Sequence, residues 1–485
     1  MLQKELISES DSATRVFRNF FDEHLIDNVV FQTNLYAVQN EKRFEPLQSS
    51  ELYAFLGLTV LFGYHKLPAL RDYWSTDPDL AVPIVPETMT RDRYFGILSN
   101  LHLADNKTMP TDNKDKLYKV RPLINMLNAK YLSLRSPSRW QSIDESMVLF
   151  KGRSSIKQYN PMKSIKRGYK LWCRSDMDGY IYEFDVYQGK SADFGQKELG
   201  LGGNVIWNLT QKLNGQNYIV AFDNFFTSPD LLDDMKSRSI LACKTVRPNR
   251  KGLPTLAPNK SLTRGQFDFR TTAQGLLYVK WKDSKAVHFL SNFHGTEQTV
   301  LSRTQKDGSK LEVTAPMVVA DYNKEMGGVD KADMLRSIYD LDRKSRKWWH
   351  RLFFAMFEIT LVNAYVTFCD LNGKIPYKEL KRKVAIGLLT LGKDPHLSRR
   401  KRGRPRSTGL ELRESIPKRR KSAFSVPNDI RLQNVGAHWP EFVERRARCE
   451  LCSSRQIESR PHSRCTICKV FMCCNEKRIA SLITT

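Results

Sequence analysis

Residues 142–150, SIDESMVLF, mark the point at which the sequence changes from a helical to a strand period. Strand-like runs follow at residues 168–174 and 180–187, and the tetrapeptide DMDG between them favours a turn. Helix and strand patterns then alternate along the chain, at residues 205–213, 218–222, 229–237 and 240–246. The order β-β-β-α-β-α-β predicts an α/β fold with a mixed sheet and helices packed on it.

The segments on either side of this region have different patterns. Residues 12–139 are predicted to be helical, with Ser50 and Thr90 as helix N-caps. Residues 247–316 interrupt the alternation and are predicted to form a β-rich insertion, with strands at 266–270, 276–281 and 286–292. Helical periodicity returns from about residue 324.

Composition limits the classes of partner. The chain has 485 residues, 78 Lys and Arg against 52 Asp and Glu, and a formal net charge of +26. Its length predicts roughly two to four domains, and a hydrophobic content of 41% excludes a mostly disordered chain. The charge excess indicates a polyanionic partner, either nucleic acid or an acidic membrane surface. The apolar run at 352–368 contains Glu358 and Asn363, which favours a buried helix over a membrane span.

Acidic residues stand at the ends of several predicted elements. Asp144 lies within the first strand, Asp223 ends the apolar strand YIVAF, and Asp330 and Asp333 lie one turn apart where a helix begins. A carboxylate at the end of a buried strand is costly unless it is paired or binds a metal. Carboxylates gathered from separate segments suit magnesium (Mg²⁺), and two such ions could cleave a phosphodiester. For any one Asp taken alone, a helix cap or a surface charge is the favoured explanation, and it is the presence of three on this element order that favours a metal site.

Six of the nine cysteines lie within residues 449–474. Cys449-x2-Cys452 and Cys465-x2-Cys468 are separated by 12 residues, a spacing that predicts a Cys₄ zinc (Zn²⁺) site. Further candidate ligands are His462, Cys473 and Cys474.

Residues 398–421 form a basic segment with 11 basic and 2 acidic residues. The segment has little apolar content and is predicted to be a linker. A nuclear localisation signal is the favoured interpretation. An AT-hook, in which Arg402 and Arg404 would enter the minor groove of A·T-rich DNA, is a second use. A solvated charge run is the third alternative.

Five sequence blocks, in order along the chain, are similar to those of piggyBac-type DNA transposases and the domesticated genes derived from them. The resemblance extends over about residues 25–474. Its blocks are SIDES with FKGR at 142–153, YNPMK at 159–163, FDNFFTS at 222–228, DYNK with GGVDKAD at 321–333, and RKWW at 346–349.

The resemblance implies an RNase H-like core with an insertion domain, flanking helical DNA-binding segments and a cysteine-rich zinc domain. It places the family's catalytic Asp triad on Asp144, Asp223 and Asp330, and a further required acidic position on Asp333. By the same resemblance Trp348 lies near the DNA ends, and Arg346 and Lys347 are DNA-binding candidates. The implied reaction is Mg²⁺-dependent cleavage of double-stranded DNA at element ends, with transfer of 3′-hydroxyls into TTAA targets. A homodimer in the nucleus and no protein nucleophile are also expected.

This resemblance and the patterns above divide the chain into seven parts. They are a helical dimerisation and DNA-binding region (1–139), the first part of the core (140–246), the β-rich insertion (247–316), the last part of the core (317–340), a second helical DNA-binding segment (341–397), the basic linker (398–446) and the zinc module (447–485).

The chain departs from the family pattern at its end. Family members continue past the position of Cys473 with another Cys-Phe pair and a His, which complete a second zinc site, whereas this chain has neither. We therefore expect a single, rearranged zinc site with Cys473 among its ligands. The acidic N-terminal region common in the family is also missing. These departures favour a rival function, a domesticated DNA- or chromatin-binding protein, and a nuclease or integrase of other specificity is a third alternative.

Overall fold

The structure is a computed structural model. It describes residues 13–189, 199–341, 345, 347–392, 427, 429, 438–455, 457–475 and 478–479. Two compact units are present: Met1–Phe21 with Ile124–Lys381, and Asp22–Leu123 with Arg382–Thr485. The predicted helical region 1–139 is thus divided between them.

The helices of the described residues are numbered in chain order. They are α1 Ala13–Phe20, α2 Glu23–Gln39, α3 Ser49–Tyr64, α4 Ile84–Thr88, α5 Arg91–Asn100, α6 Arg121–Leu134, α7 Gly200–Leu209, α8 Pro229–Ser237, α9 Met317–Glu325, α10 Gly328–Ile338, α11 Trp348–Asn372, α12 Tyr377–Leu391 and α13 Glu450–Ser454. Short 3₁₀ turns lie at Asp72–Trp74 and Gln211–Leu213.

The strands are numbered in the same way. They are β1 Trp140–Leu149, β2 Gln158–Tyr159, β3 Arg167–Ser175, β4 Ile181–Val186, β5 Ile219–Phe222, β6 Leu241–Thr245, β7 Phe267–Thr271, β8 Leu277–Lys282, β9 Ala286–Ser291, β10 Gln298–Thr304, β11 Lys310–Pro316, β12 Pro440–Phe442, β13 Ser463–Cys465, β14 Cys474–Asn475 and β15 Arg478–Ile479.

A nine-stranded mixed sheet forms the centre of the first unit. Its order is β2-β3-β1-β5-β6-β9-β8-β7, with β4 also paired to β3. The β1–β5 and β5–β6 pairs are parallel, and the others are antiparallel. The predicted mixed sheet is confirmed, and so is the predicted order of its first elements, with β2 as a short addition.

The predicted insertion continues this sheet. Its strands β7, β8 and β9 form close to the predicted positions, but β9 pairs antiparallel with β6, so that the strands extend the edge of the core sheet. A separate hairpin, β10–β11, follows and has no counterpart in the prediction. The exposed positions of β10 alternate with partly buried ones, and both strands of the hairpin contact α9.

Helix α11 is the apolar segment for which a membrane span was the alternative. Within the described residues it is the single helix long and apolar enough to cross a membrane, and 89% of its apolar window is buried inside the protein. Glu358, near its middle, accepts hydrogen bonds from the Lys381 ammonium at 2.7 and 2.9 Å. The charge is thus neutralised inside the first unit, as a buried helix requires.

The second unit is mainly helical before its cysteine-rich end. Thr90 caps α5 as predicted, its side chain accepting a hydrogen bond from Arg93 N at 3.3 Å. Helix α3 begins at Ser49, with Gln48 rather than Ser50 as its N-cap. Arg93 also donates to Glu51 at 2.8 Å and thereby links α5 to α3.

Candidate active site and metal-binding groups

Two of the predicted catalytic aspartates are placed by neighbouring parallel strands, Asp144 within β1 and Asp223 directly after β5. Strand β1 pairs with β5 so that Ile143 stands opposite Phe222, the last residue of β5, and the residues that follow these two are Asp144 and Asp223. Parallel strands are about 4.8 Å apart, so the two carboxylates start from adjacent backbone positions. Ile143 and Phe222 are fully buried in the core, which fixes this register.

The third aspartate is carried by α10, which packs against β1 and β3. Gly328, the first residue of α10, lies against the turn after β3, and a Cβ there would overlap the carbonyl oxygen of Asp176. The absence of a side chain therefore allows α10 to approach closely enough to place Asp330 beside the strand carboxylates.

Burial acts on Asp144 and Asp223, and the charges of the other two aspartates act on Asp144. Burial raises the pKa of Asp144 to about 7; Lys163 and the backbone N–H of Glu145 oppose this shift, and the charges of Asp223 and Asp330 add to it. Burial likewise raises the pKa of Asp223, although Phe225 N donates to its Oδ1 at 2.8 Å. Asp144 is therefore the carboxylate on which the charges of the other two predicted residues act.

The three aspartates differ in their ion pairs from the acidic side chains around them. In the described part of the chain, Asp144, Asp223 and Asp330 have no Lys or Arg nitrogen within 4.0 Å. By contrast, Glu145 pairs with Lys170 and, at 3.6 Å, with Lys163.

Asp333 has partners of its own. Its Oδ1 accepts hydrogen bonds from Ser146 Oγ at 2.6 Å and from Arg336 Nη1 at 2.8 Å. Arg336 Nη1 also donates to Ser146 Oγ at 2.8 Å, which closes a three-membered network between α10 and β1. This geometry suits Asp333 to holding α10 in place.

An aromatic group borders the carboxylates and was missed by the sequence analysis. The Lys170 ammonium lies 3.9 Å from the centroid of the Trp172 ring and 4.7 Å from that of Phe225. These two rings stack with centroids 5.6 Å apart. Phe225 is part of the DNFF block but had no assigned role.

The predicted DNA-binding residues are only partly described. Trp348 opens α11 and meets Tyr169 edge to face, with centroids 6.2 Å apart. Lys347 precedes α11, and its ammonium lies 5.6 Å from the centroid of the Trp349 ring. The other three predicted residues, Arg346, Arg402 and Arg404, lie outside the described residues.

Five of the six cysteines of the second unit, all but Cys474, lie in two groups, in contrast to the single site expected from the sequence. One group contains Cys449, Cys452 and Cys473, and the other contains Cys465, Cys468 and His438. Within each group the ligand atoms all lie within 4.8 Å of one another. The expected single Cys₄ site is therefore wrong, because the two Cys-x2-Cys pairs belong to different groups.

His438 was missed because it lies outside the predicted module, in the segment assigned to the basic linker. The antiparallel pairing of β12 with β13 sets Pro440 opposite Cys465 and brings His438 Nδ1 to 3.2 Å from Cys465 Sγ. His462, a candidate from the sequence, belongs to neither group; its Nε2 lies 2.6 Å from Arg446 Nε.

Each cysteine group offers three ligand atoms of the kinds that zinc binds in proteins. Tetrahedral ligands at a Zn–S distance of about 2.3 Å would place two sulfurs about 3.8 Å apart, and Cys452 Sγ lies 3.7 Å from Cys473 Sγ. Backbone N–H groups donate to the first sulfur of each Cys-x2-Cys pair, at 3.5 Å to Cys449 and to Cys465. Among the described residues, these are the two places where three His, Cys, Asp or Glu ligand atoms come this close, and the Asp triad is more widely spaced.

Comparison with known proteins identifies the relatives of this chain. The family model "Transposase IS4" matches residues 12–365. Human piggyBac transposable element-derived protein 3 is 34% identical over 411 residues, which cover 82% of this chain and 68% of that protein. Human piggyBac transposable element-derived protein 2 is 29% identical over 463 residues, which cover 93% and 74%.

A solved structure shows the same fold. A piggyBac transposase, determined by cryo-electron microscopy as a synaptic complex with hairpin DNA, superposes with a TM-score of 0.70 over 96% of this chain and 95% of that one, at 21% identity. The family resemblance inferred from the five sequence blocks is confirmed. The chain is a member of the piggyBac-type family of transposases and transposable element-derived proteins.

Proposed function

We propose that this chain is a DNA transposase whose residues Asp144, Asp223 and Asp330 bind the catalytic Mg²⁺ ions. The observation that carries the proposal is the placement of Asp144 and Asp223 directly after the paired residues Ile143 and Phe222, with the charge of Asp330 acting on Asp144. Among the described residues, none of the three aspartates forms an ion pair within 4.0 Å. Three carboxylates held close together repel one another, and hard divalent cations with oxygen ligands relieve that repulsion.

The wider spacing of the triad favours two ions over one. A pair of ions about 3.5–4 Å apart takes ligands from both sides and does not require all three carboxylates to converge on one point. When bound, such ions would activate a water or a 3′-hydroxyl and stabilise the leaving oxygen of the phosphodiester.

The protein's own residues have distinct tasks in this proposal. Asp144, Asp223 and Asp330 hold the ions, while the Asp333–Ser146 hydrogen bond keeps α10 against β1. Since the nucleophile is a water or a DNA hydroxyl, no Ser or Cys attacks the phosphate.

The substrate part of the proposal is double-stranded DNA, cut at element ends and joined into TTAA targets by a homodimer. Its support is the family membership, the fold shared with a transposase in a complex with hairpin DNA, and the net charge of +26. We also assign the sheet of the first unit to an RNase H-like core, and the two cysteine groups to structural zinc sites. Nuclear localisation through residues 398–421 completes the proposal; deletion of that segment should abolish nuclear accumulation of a fluorescent fusion.

A second function is a DNA-binding protein that no longer cleaves. It is favoured by the names of the human relatives, which are transposable element-derived proteins. The two functions make different demands on the triad, because binding alone does not need divalent ions between three carboxylates.

The test is excision in cells. A reporter gene is interrupted by an inserted segment whose two ends are the DNA sequences that flank this gene's own locus. Repair of the reporter is compared for wild type, Asp144→Asn and Asp307→Asn. Asp307 is an exposed residue between β10 and β11 and provides a matched change of charge. Repair by wild type and Asp307→Asn that restores TTAA, with none by Asp144→Asn, supports the transposase. Equal repair by Asp144→Asn contradicts the metal site, and no repair by a wild-type protein that still binds the ends supports the second function.

A further inference from the structure

A loop from the β2–β3 connection lies beside the carboxylates. Asn160 Nδ2 donates to Glu145 Oε1 at 3.2 Å, and Asn160 N donates to Lys166 O at 2.9 Å. Met162 N donates to Asn160 Oδ1 at 3.1 Å. These bonds hold the loop by its backbone and by Asn160, and none of them uses the side chain of Lys163.

Lys163 extends from this loop toward the acidic group. Its ammonium lies 3.6 Å from Glu145 Oε1, and it donates to the backbone oxygen of Glu145 at 3.5 Å. The other carboxylate oxygen of Glu145 is paired with Lys170, so this glutamate has a cation without Lys163. The Lys163 side chain is 33% exposed, and the adjacent Met162 is 90% exposed, so this ammonium is accessible from solvent.

The charges around Lys163 identify its main partners. Burial lowers the pKa of Lys163, but the attraction of Asp144, followed by Glu145, Asp330 and Asp333, outweighs it and raises the pKa. Among these carboxylates, Asp144 and Asp330 have no ion pair within 4.0 Å in the described part of the chain, whereas Glu145 and Asp333 pair with Lys170 and Arg336. Lys163 is thus a cation whose charge acts on both kinds of carboxylate.

One ammonium carries a single positive charge and cannot neutralise three carboxylates. Two divalent ions together carry more positive charge than the three carboxylates carry negative charge. Ammonium and metal ions therefore compete for this site, and a bound pair of ions would repel Lys163 unless an anion joins them. On the proposed function, that anion is the phosphodiester to be cut.

We propose that Lys163 is a further catalytic residue: it neutralises the carboxylates before metal binds, and then binds a non-bridging oxygen of the scissile phosphate. This inference rests on the proposed function, its first half on the proposed metal site and its second half on the proposed DNA substrate. The first half concerns the metal site alone and is tested without DNA.

The experiment compares Lys163→Met with Lys166→Met in the purified, zinc-loaded full chain. Lys166 is an exposed lysine of the same loop and controls for the change in net charge. Manganese(II) is the metal probe, followed by electron paramagnetic resonance, and Asp144→Asn identifies the signal that comes from the active site. Thermal unfolding verifies that each variant is folded.

The expected effects have opposite signs. Without the competing ammonium, Lys163→Met should bind manganese(II) about tenfold more tightly than wild type. Its cleavage of a duplex carrying the locus-flanking ends should fall by about 10²-fold, as for the loss of one preorganised contact to the reacting group. Lys163→Arg should recover much of the cleavage, and Lys166→Met should match wild type in both assays.

Each other result overturns a part of the inference. Unchanged or weaker manganese(II) binding by Lys163→Met excludes the ammonium from the metal site and leaves Lys163 with a structural role. Tighter binding with unchanged cleavage excludes the phosphate contact. If wild type cleaves no DNA, the proposed function and the phosphate contact both fail, and the manganese(II) titration alone still decides whether Lys163 occupies the metal site.

Discussion

Gly328 offers a direct test of how the third carboxylate is placed. Helix α10 begins at this residue and lies against the turn that follows β3. In Gly328→Ala the new Cβ would overlap the carbonyl oxygen of Asp176 and lie 2.5 Å from Ser175 Oγ, whereas real Cβ atoms essentially never approach within 3.0 Å. Because the overlapping group is backbone, a side-chain rotation cannot relieve the clash.

The size of the effect follows from the required movement. The helix or the turn must shift by about 1 Å or more, and overpacking of this kind costs about 1–3 kcal/mol of stability. A misplacement of about 1 Å in a catalytic group lowers activity by about 10²-fold. Without the clash, alanine would stabilise the helix by about 1 kcal/mol relative to glycine. A loss of stability in Gly328→Ala would therefore indicate the clash.

The neighbouring Gly327 provides the matched control. Nothing lies within 4 Å of the position of its Cβ, and its φ of −79° is open to any residue. Gly327→Ala should change stability by no more than about 1 kcal/mol. Urea unfolding and the Asp144-dependent excision assay measure both effects. If Gly328→Ala were as stable and active as Gly327→Ala, the close approach of α10 to the β3 turn would not be what positions Asp330.

Three further predictions concern buried charge and metal. Lys381→Met should destabilise the protein by about 3–5 kcal/mol in urea unfolding, because Glu358 is left charged and buried. Adding Glu358→Leu should restore most of that loss. If Lys381→Met alone were as stable as wild type, the ion pair between Lys381 and Glu358 would not be needed for stability. The folded pKa of Asp144 is about 7 and lies above the unfolded value near 3.9, so its stabilising contribution is complete below about pH 4 and is lost as pH rises through 7. Without added divalent ion, Asp144→Asn should therefore raise the unfolding temperature at pH 8 but not at pH 4, and equal shifts at both would refute this sign. Elemental analysis should find two zinc ions per chain, with His438→Ala or Cys473→Ser each retaining one; loss of both ions in either variant would indicate a single site.

The elements of the core were predictable because local rules act on each of them. Helix α8 has the predicted bounds, Pro229–Ser237, since Pro229 suits the first turn and Ser228 caps it, accepting from Leu231 N at 3.2 Å. Apolar runs bounded by polar residues likewise gave β5 and β6 to within two residues. The order of these elements then limits the fold class.

The pairing partners of the strands were harder to predict from the sequence. Alternation identifies β9 as a strand but contains no information on its partner, and its pairing with β6 depends on contacts far apart in the chain, such as Cys243 with Ser291. The supposed insertion was therefore predicted as strands but not as part of the core sheet.

The zinc ligands show the same limit at smaller scale. A Cys-x2-Cys pair supplies two ligands, and its spacing does not reveal which other residues complete the set. Here the choice is made by the β12–β13 pairing, which places His438 beside Cys465, and the second pair, Cys449 with Cys452, is completed by Cys473. The ligands of the two groups alternate along the chain, so the spacing of the two Cys-x2-Cys pairs was also compatible with one shared site.

The carboxylates illustrate what tertiary structure adds to a motif. Asp330 and Asp333 lie one helical turn apart, so the sequence placed both on one face and gave no means of separating their roles. The structure separates them by their partners: Asp333 is satisfied by Ser146 and Arg336, whereas Asp330 has no ion pair among the described residues. A metal ligand needs a carboxylate that is not already neutralised by a protein cation. A carboxylate that positions a helix acts instead through the ion pair and hydrogen bonds that it makes. The same criterion underlies the role proposed for Lys163, since carboxylates without an ion pair need a nearby cation when no metal ion is bound.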